Sequence, residues 1–592
     1  MIPQADGKKR VIIENIKPNI GSGRFPIKRV VGEKVVVTAD IFADSHDVVA
    51  ASILYRKAEN SERQEALAHF IENDRWGAEF VVEEIGTYQY VVQGWIDHFR
   101  TWQLDLKKRL SAGSASAADM LIGARLIEAA SERVSEQTAA EERSKLAGYA
   151  ALLRNGGQEA VSAALDDALS ALMAKYADKT TAVLSEQEFK VTVDTRKAVF
   201  SSWYELFPRS CSPDEGRHGT FGDCERLLPE IARMGFDTLY LPPIHPIGKT
   251  NRKGKNNSLQ VRPDDVGSPW AIGSDEGGHK AIHPQLGTLE DFEKLIKSAK
   301  EYGIDVAMDL AFQCSPDHPY VKEHPEWFSW RPDGTIQYAE NPPKKYEDVI
   351  PFNFESDNWQ ALWEELKGIV LFWIGRGVGI FRVDNPHTKP FAFWEWLIRE
   401  IKKEYPDVIF FCEAFTRPKV MYRLAKSGFT QSYTYFTWRN TKNELTEYLT
   451  SLTQTDEEEY FRPNFWPNTP DIITEYLQYG GRPAFMIRLV LAATLASNYG
   501  IYGPAFELCV TDALPGTEEY LNSEKYELRH WDRGAPGNLK DFIARVNLIR
   551  RENPAFQTTS HLSFHPVTNE YLLFYTKTTD DLSDIILVVV NL

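Results

Sequence analysis

A chain of 592 residues is too long for one hydrophobic core, so several domains are expected. Its 43% hydrophobic and 26% charged residues are ordinary for a soluble globular protein, and the formal charge of −17 opposes nucleic acid but not a neutral polymer. Five cysteines at 211, 224, 314, 412 and 509 are odd in number and lack metal-type spacing, which predicts free thiols in a reducing, cytoplasmic compartment. MIPQADGKKR lacks the apolar stretch of a signal peptide, and no apolar run is long enough for a bilayer. The run 485–496, interrupted by Arg488, reads as a buried helix.

Residues 1–103 alternate in the β manner, as in Val35-Val36-Val37-Thr38, Phe80-Val81-Val82 and Tyr88 to Val92. Short strands at this spacing predict a β-sandwich. Over 104–190 Ala, Glu, Lys and Leu dominate. Met120, Leu121, Ala124 and Ile127 recur at helical spacing, as do Leu165, Ala168, Leu169 and Leu172, with Asn155-Gly156-Gly157 as a break. This predicts a helical bundle whose apolar stripe is core or a dimer face.

From 191 to 556 strand and helix signals alternate. Strands are expected at Val199-Phe200, Thr238 to Leu241, Val306 to Met308, Ile380 to Val383 and Val408 to Phe411, with helices over 289–302, 359–375 and 392–403. Repeated β/α units predict a parallel sheet covered by helices, and chemistry-bearing residues just past the strands point to a (β/α)8 barrel. A Pro- and aromatic-rich excursion over 314–355 interrupts the alternation and reads as a small inserted domain. Residues 557–592 are β-like again and end on the apolar run 585–590, which suggests a C-terminal β-domain cut short.

Three carboxylates follow strand candidates: Asp384, Glu413 and Asp471. Arg382 lies two residues before Asp384, so in a strand the two share a face. Alone the pair could equally be a structural salt bridge. A neighbouring guanidinium favours an ionised carboxylate, which suits a nucleophile. Glu413 comes about one α/β repeat later with no cation beside it in the sequence, so desolvation would suit it to acid/base work. Asp471 has room for two further repeats before it, and could hold sugar hydroxyls and stabilise developing positive charge. Retaining glycosyl transfer needs such a pair about 5–5.5 Å apart.

The succession F-R-V-D, then E, then D resembles glycoside hydrolase family 13, the α-amylase superfamily. The resemblance implies a barrel with a domain B after its third strand, a C-terminal β-domain, and retention. It implies Asp384 as nucleophile, Glu413 as acid/base and Asp471 as transition-state stabiliser. This chain departs from amylases in carrying Cys314 for a histidine, Thr469-Pro470-Asp471 for N-H-D, and Gln313 for the asparagine that ligates calcium. Those departures, with RVDNPHTKP, EAFTRP, NTPD, HPIGKTNRKGKNN, QCSPDHP, AENPPKKYEDVIP and LNSEKYELRHWD, are similar to the GlgE-type maltosyltransferases.

That subgroup implies maltosyl transfer from α-maltose 1-phosphate to the non-reducing end of an α-1,4-glucan, in a homodimer, with no cofactor and no metal. It implies donor and phosphate contacts at Lys253, Gln313, Asn341, Lys344, Tyr346, Arg382, Asn385, Lys525 and Tyr526. On chemistry alone each lysine is more readily a solvated surface residue. The alternatives are an α-glucan phosphorylase or hydrolase of the same superfamily, or a glucan-binding protein with a vestigial barrel.

Overall fold

The computed structural model describes residues 7–135, 139–342 and 344–592; the side chains of Asn341 and Lys344 lie outside the described residues. The chain divides after Val193 into two compact units.

In the first unit, strands Val11–Lys17, Lys34–Ala43, Arg75–Val81 and His69–Glu72 form one antiparallel sheet. A second sheet is built around Gly86–Ile96 and Val49–Lys57. Alternation puts Val35 and Val37 inside and Val36 outside. Five helices follow, from His98–Ser111 to Asp167–Lys175. Their core gathers Trp102, Met120, Ile127, Leu146, Leu153 and Leu169. At Gly123 a Cβ would lie 2.0 Å from the Trp102 ring, so only glycine lets that indole in.

Three expectations differ here. The helical spacing from Leu165 to Leu172 crosses a break, because one helix ends at Ala164 and the next begins at Asp167. Leu121 is exposed beside buried Met120 and Ala124. The stretch expected to be helical to residue 190 instead ends in strands Val183–Leu184 and Phe189–Asp194, which pair with Gly86–Ile96. Phe189, Val191 and Val193 alternate inward, a period-two signal too short to outweigh the helical stretch before it.

The second unit is a parallel barrel. Its strands are β1 Ser201–Glu205, β2 Thr238–Leu241, β3 Asp305–Leu310, β4 Ile380–Val383, β5 Ile409–Cys412, β6 Gln431–Ser432, β7 Asn464–Phe465 and β8 Asn498–Tyr502. They run β6-β5-β4-β3-β2-β1-β8-β7, and a single bridge from Ser432 to Pro463 joins the two ends. Trp203, Tyr240, Phe411, Tyr433 and Trp466 fill the interior. Gly500 on β8 leaves room for Trp466, whose ring would lie 2.3 Å from a Cβ there.

The first strand begins later than Val199-Phe200. Arg196–Ala198 form a 3-10 turn, and the strand itself is polar but wholly buried. Ser201 Oγ donates to Asn498 Oδ1 at 2.7 Å and accepts from Trp203 Nε1 at 2.8 Å, which is how buried hydroxyls persist. β5 lies one residue beyond the expected Val408 start.

Helices Leu289–Glu301, Trp359–Ile374 and Phe391–Glu404 cover the barrel. The first starts at a Thr288/Asp291 capping box and buries Phe292, Leu295, Ile296 and Ala299. Residues 485–495 belong to the kinked helix Glu475–Leu495, where Arg488 is buried and donates to the carbonyls of Arg439 and Phe436.

After β3 the excursion makes two small antiparallel pairs, Gln313–Cys314 with Ile350–Pro351 and Ala339–Asn341 with Lys344–Tyr346. Three antiparallel strands, Leu562–His565, Leu572–Thr578 and Ile585–Asn591, follow the barrel. They bury Leu573 and Tyr575 and leave Ile585, Leu587 and Val589 exposed.

Candidate active site

Asp384 and Glu413 are each the first residue past a barrel strand. The Asp384 N–H donates to Leu310 O on β3, and the Glu413 N–H donates to Val383 O on β4, both at 3.1 Å. The ladder therefore runs one residue beyond each strand and sets both carboxylates at the same level of the barrel mouth.

One guanidinium ties them together. Arg382 Nη1 lies 2.9 Å from Asp384 Oδ1 and 3.0 Å from Asp309 Oδ2, and Nη2 lies 3.5 Å from Glu413 Oε1. Tyr240 and Tyr433 rings flank it at 5.7 and 5.8 Å, and the Tyr240 hydroxyl donates to Asp309 Oδ2 at 2.5 Å. Buried ions persist only when paired and hydrogen-bonded, and Arg382's planar fork serves three carboxylates at once.

The expectation that Glu413 has no adjacent cation is corrected: Arg382 reaches it from the neighbouring strand. Burial nevertheless dominates. Desolvation outweighs Arg382, the Asp384 charge adds to it, and the Glu413 carboxyl is pushed up to about 7. Asp309 is raised for the same first reason. A carboxyl poised near neutrality beside one that touches the guanidinium directly is the division of labour that acid/base and nucleophile require.

Above this floor opens a cleft of about 920 Å³. Asp384, Glu413, Asp471, Gln313, Tyr346, Asn385, Lys525 and Tyr526 all line it, so the structure brings most of the expected site residues together. Asp471 sits on the rim, half-exposed, and is paired with Lys525, whose ammonium lies 5.4 Å from the Trp270 ring centroid. Burial disfavours the Lys525 charge, but Asp471 outweighs it and holds the ammonium protonated.

Lys253 is placed differently. It is buried with its Nζ 2.5 Å from Glu347 Oε2 and does not line the cleft, because a carboxylate distant in sequence takes its charge. Asn341 and Lys344 fall outside the described side chains. Trp270, Tyr338, Asp348, Lys389, Phe415 and Glu519 also line the cleft without having been singled out. Lys389, Asp348 and Phe415 lay within quoted motifs, in RVDNPHTKP, AENPPKKYEDVIP and EAFTRP, while Trp270, Tyr338 and Glu519 did not.

Among the described residues, His279, Cys314 and His318 form a compact buried group of metal-ligand types. The Tyr320 N–H donates to His318 Nδ1 at 3.1 Å, which puts the His318 proton on Nε2. That nitrogen lies 3.0 Å from His279 Nδ1, and His279 Nε2 donates to Ala311 O at 3.0 Å. Every ring nitrogen is engaged, so a metal on His318 Nε2 would require an imidazolate, and the donor set does not fit one. Burial pushes both imidazoles down to about 3.

The parallel barrel has the fold of the α-amylase catalytic domain. Residues 206–408 match the family "Alpha amylase, catalytic domain". A noncanonic maltogenic α-amylase, AmyB of Thermotoga neapolitana, shares the fold with a TM-score of 0.52 at 21% identity, over 67% of this chain and 86% of that one. Residues 9–195 match "Alpha-1,4-glucan:maltose-1-phosphate maltosyltransferase, domain N/S". The chain is 55% identical to the α-1,4-glucan:maltose-1-phosphate maltosyltransferase of Chlorobaculum tepidum and 54% identical to that of Methylacidiphilum infernorum, in each case over 99% of this chain and 88% of the relative. The chain belongs to the α-1,4-glucan:maltose-1-phosphate maltosyltransferase family.

Proposed function

We propose that this protein transfers maltosyl from α-maltose 1-phosphate to the non-reducing end of an α-1,4-glucan with retention. The observation that carries the reading is the single Arg382 guanidinium bridging Asp384 and Glu413 at the floor of a cleft whose wall holds Lys525. Asp384 attacks the anomeric carbon and the bond to phosphate oxygen breaks, its electron pair leaving with phosphate and the Glu413 proton going to that oxygen. A β-maltosyl ester on Asp384 results. The acceptor 4-hydroxyl then attacks the same carbon, gives its proton to Glu413 and displaces the Asp384 carboxylate. Two inversions amount to retention.

Asp471 faces the sugar and stabilises positive charge at the reacting carbon. Lys525, Tyr526, Tyr346, Asn385 and Gln313 supply a charge and hydrogen-bonding groups for the donor, and Lys253, Asn341 and Lys344 complete the proposed set with Arg382 beneath. Lys253 would first have to leave Glu347. The carboxylates suffice for this chemistry without an organic cofactor. Leu104, Leu121 and Ile122 are exposed on the helical stretch and suit the proposed homodimer, which sedimentation of the purified protein checks.

Incubation with α-maltose 1-phosphate and a short maltooligosaccharide tests the activity. Extension by two glucose units with release of phosphate supports it. Free maltose alone would make the protein a hydrolase, and glucan breakdown that requires added phosphate would make it a phosphorylase.

A further inference from the structure

The turn after Asp384 carries a second buried cation that this mechanism leaves without a task. Lys389 is 9% exposed and lines the cleft. Its Nζ donates to the backbone carbonyls of Asp384 at 3.4 Å and Asn385 at 3.2 Å. The Asn385 carbonyl also accepts from the Thr388 N–H at 3.2 Å and from Thr388 Oγ1 at 2.8 Å.

These bonds close the 3-10 turn Pro386–Thr388 and hold Asn385 at φ 42° and ψ 51°, a left-handed conformation that asparagine tolerates better than most residues. In that conformation the Asn385 N–H donates to Glu413 Oε2 at 3.0 Å. One lysine thus grips the carbonyl of the very peptide whose N–H reaches the acid/base, and the carbonyl of the peptide after it. An apolar side chain of similar length would pack here without the cost of burying an ammonium, so the charge and its donors call for a use.

We propose that Lys389 is a positioning residue: by gripping the Asp384 and Asn385 carbonyls it locks the left-handed turn that presents the Asn385 N–H to Glu413, and so fixes the acid/base beside the nucleophile and sets how firmly it keeps its proton. The proposal rests on the roles given above to Asp384 and Glu413. Glu413 faces Arg382, Asp384, Asp471 and Lys389 together with the Asn385 N–H. Lys389 faces Asp384, Glu413, Asp309 and Arg382, with His387 beside it. Removing Lys389 takes away one positive charge and frees one hydrogen bond to ionised Glu413, and both changes favour the protonated carboxyl.

The test compares wild type, Lys389→Met and Lys389→Gln by pH profile of kcat on α-maltose 1-phosphate. It adds an infrared pH titration of the carboxyl band that Glu413→Gln removes. In Lys389→Met, kcat falls roughly tenfold to a hundredfold as the acid/base drifts. The alkaline limb and the infrared midpoint both rise by about one pH unit. Lys389→Gln keeps a donor for the carbonyls, shifts the midpoint the same way by less, and decides the matter if the Met variant does not fold. An infrared midpoint unchanged in the folded variants overturns the proposal and leaves Lys389 as packing. A wild type without turnover on this donor would refute the functional reading, while the infrared titration would still decide the role of Lys389.

Discussion

Two buried polar clusters border the same short segment, residues 309–318, and solve burial in opposite ways. At Asp309 the cluster is ionic, with three carboxylates sharing Arg382. At His318 it is neutral, a relay of imidazoles that begins on one backbone N–H and ends on one backbone carbonyl. The neutral relay satisfies every ring nitrogen and has no proton to give near neutrality. The ionic cluster cannot satisfy every charge: Asp309 Oδ1 and Arg382 Nε have no hydrogen-bond partner, and Glu413 is held near neutrality. Incomplete compensation in a closed space suits one cluster to the proposed chemistry, while full compensation suits the other to structural support.

The sharpest way to break this contrast is at the proposed nucleophile. Asp384→Ala is expected to lower maltosyl transfer by at least about 10⁴-fold, since a covalent route without its nucleophile retains only binding and electrostatics. Arg382 keeps Asp309 and Glu413 as partners, so the thermal unfolding midpoint should stay close to wild type. Transfer at wild-type rate would remove Asp384 from the chemistry. Glu413→Gln comes next, with a loss of roughly 10²–10⁴-fold. In the proposed mechanism Glu413 must be protonated for phosphate to depart, so the wild-type rate should fall as pH rises through about 7, and the Gln variant should lose that alkaline limb. A limb that persisted would assign the titration to another group.

How much of this was legible in the sequence follows from the same contrast. β2 and β4 stand where expected because Thr238 to Leu241 and Ile380 to Val383 are short apolar runs with sharp ends. β1 was displaced because Ser201, Ser202 and Glu205 are polar yet buried, and the partner of the Ser201 hydroxyl, Asn498, lies on a strand far along the chain. Asp384, Glu413 and Asp471 were visible as acids just past strands. The Arg382 contact to Glu413 was not, since register between strands is invisible to spacing along one strand. Nor was the capture of Lys253 by Glu347. The imidazole relay also depends on Gly273 and Gly278, where a Cβ would lie 2.3 Å from the His318 ring, and their meaning appears only once that ring is in place.

Arg382→Met should then cost stability as well as activity. Removing one partner of a buried ion pair typically costs about 3–5 kcal/mol. Here the carboxylates left behind can neutralise by taking up protons. The loss should therefore be larger at alkaline pH than near pH 5, read as the shift in thermal midpoint against wild type. A loss independent of pH would mean that Arg382 stabilises through packing between its two tyrosines and not through charge.

The smallest effect belongs to the neutral cluster. His279 and His318 are held down to about 3, against an ordinary value of 6.5. Between those values the unfolded chain binds protons that the folded chain refuses, so their share of stability is complete above about 6.5 and drains away as pH falls toward 3. His318→Gln keeps an acceptor for the Tyr320 N–H and a donor for His279, so at pH 7 the cost should be about 1 kcal/mol. With one imidazole fewer to protonate on unfolding, the variant's denaturation midpoint should fall less steeply than wild type between pH 6.5 and 4.5, and transfer activity should persist because His318 does not line the cleft. An acid-side slope as steep as wild type would place the titration elsewhere, and a collapse of activity would join two clusters that the geometry keeps apart.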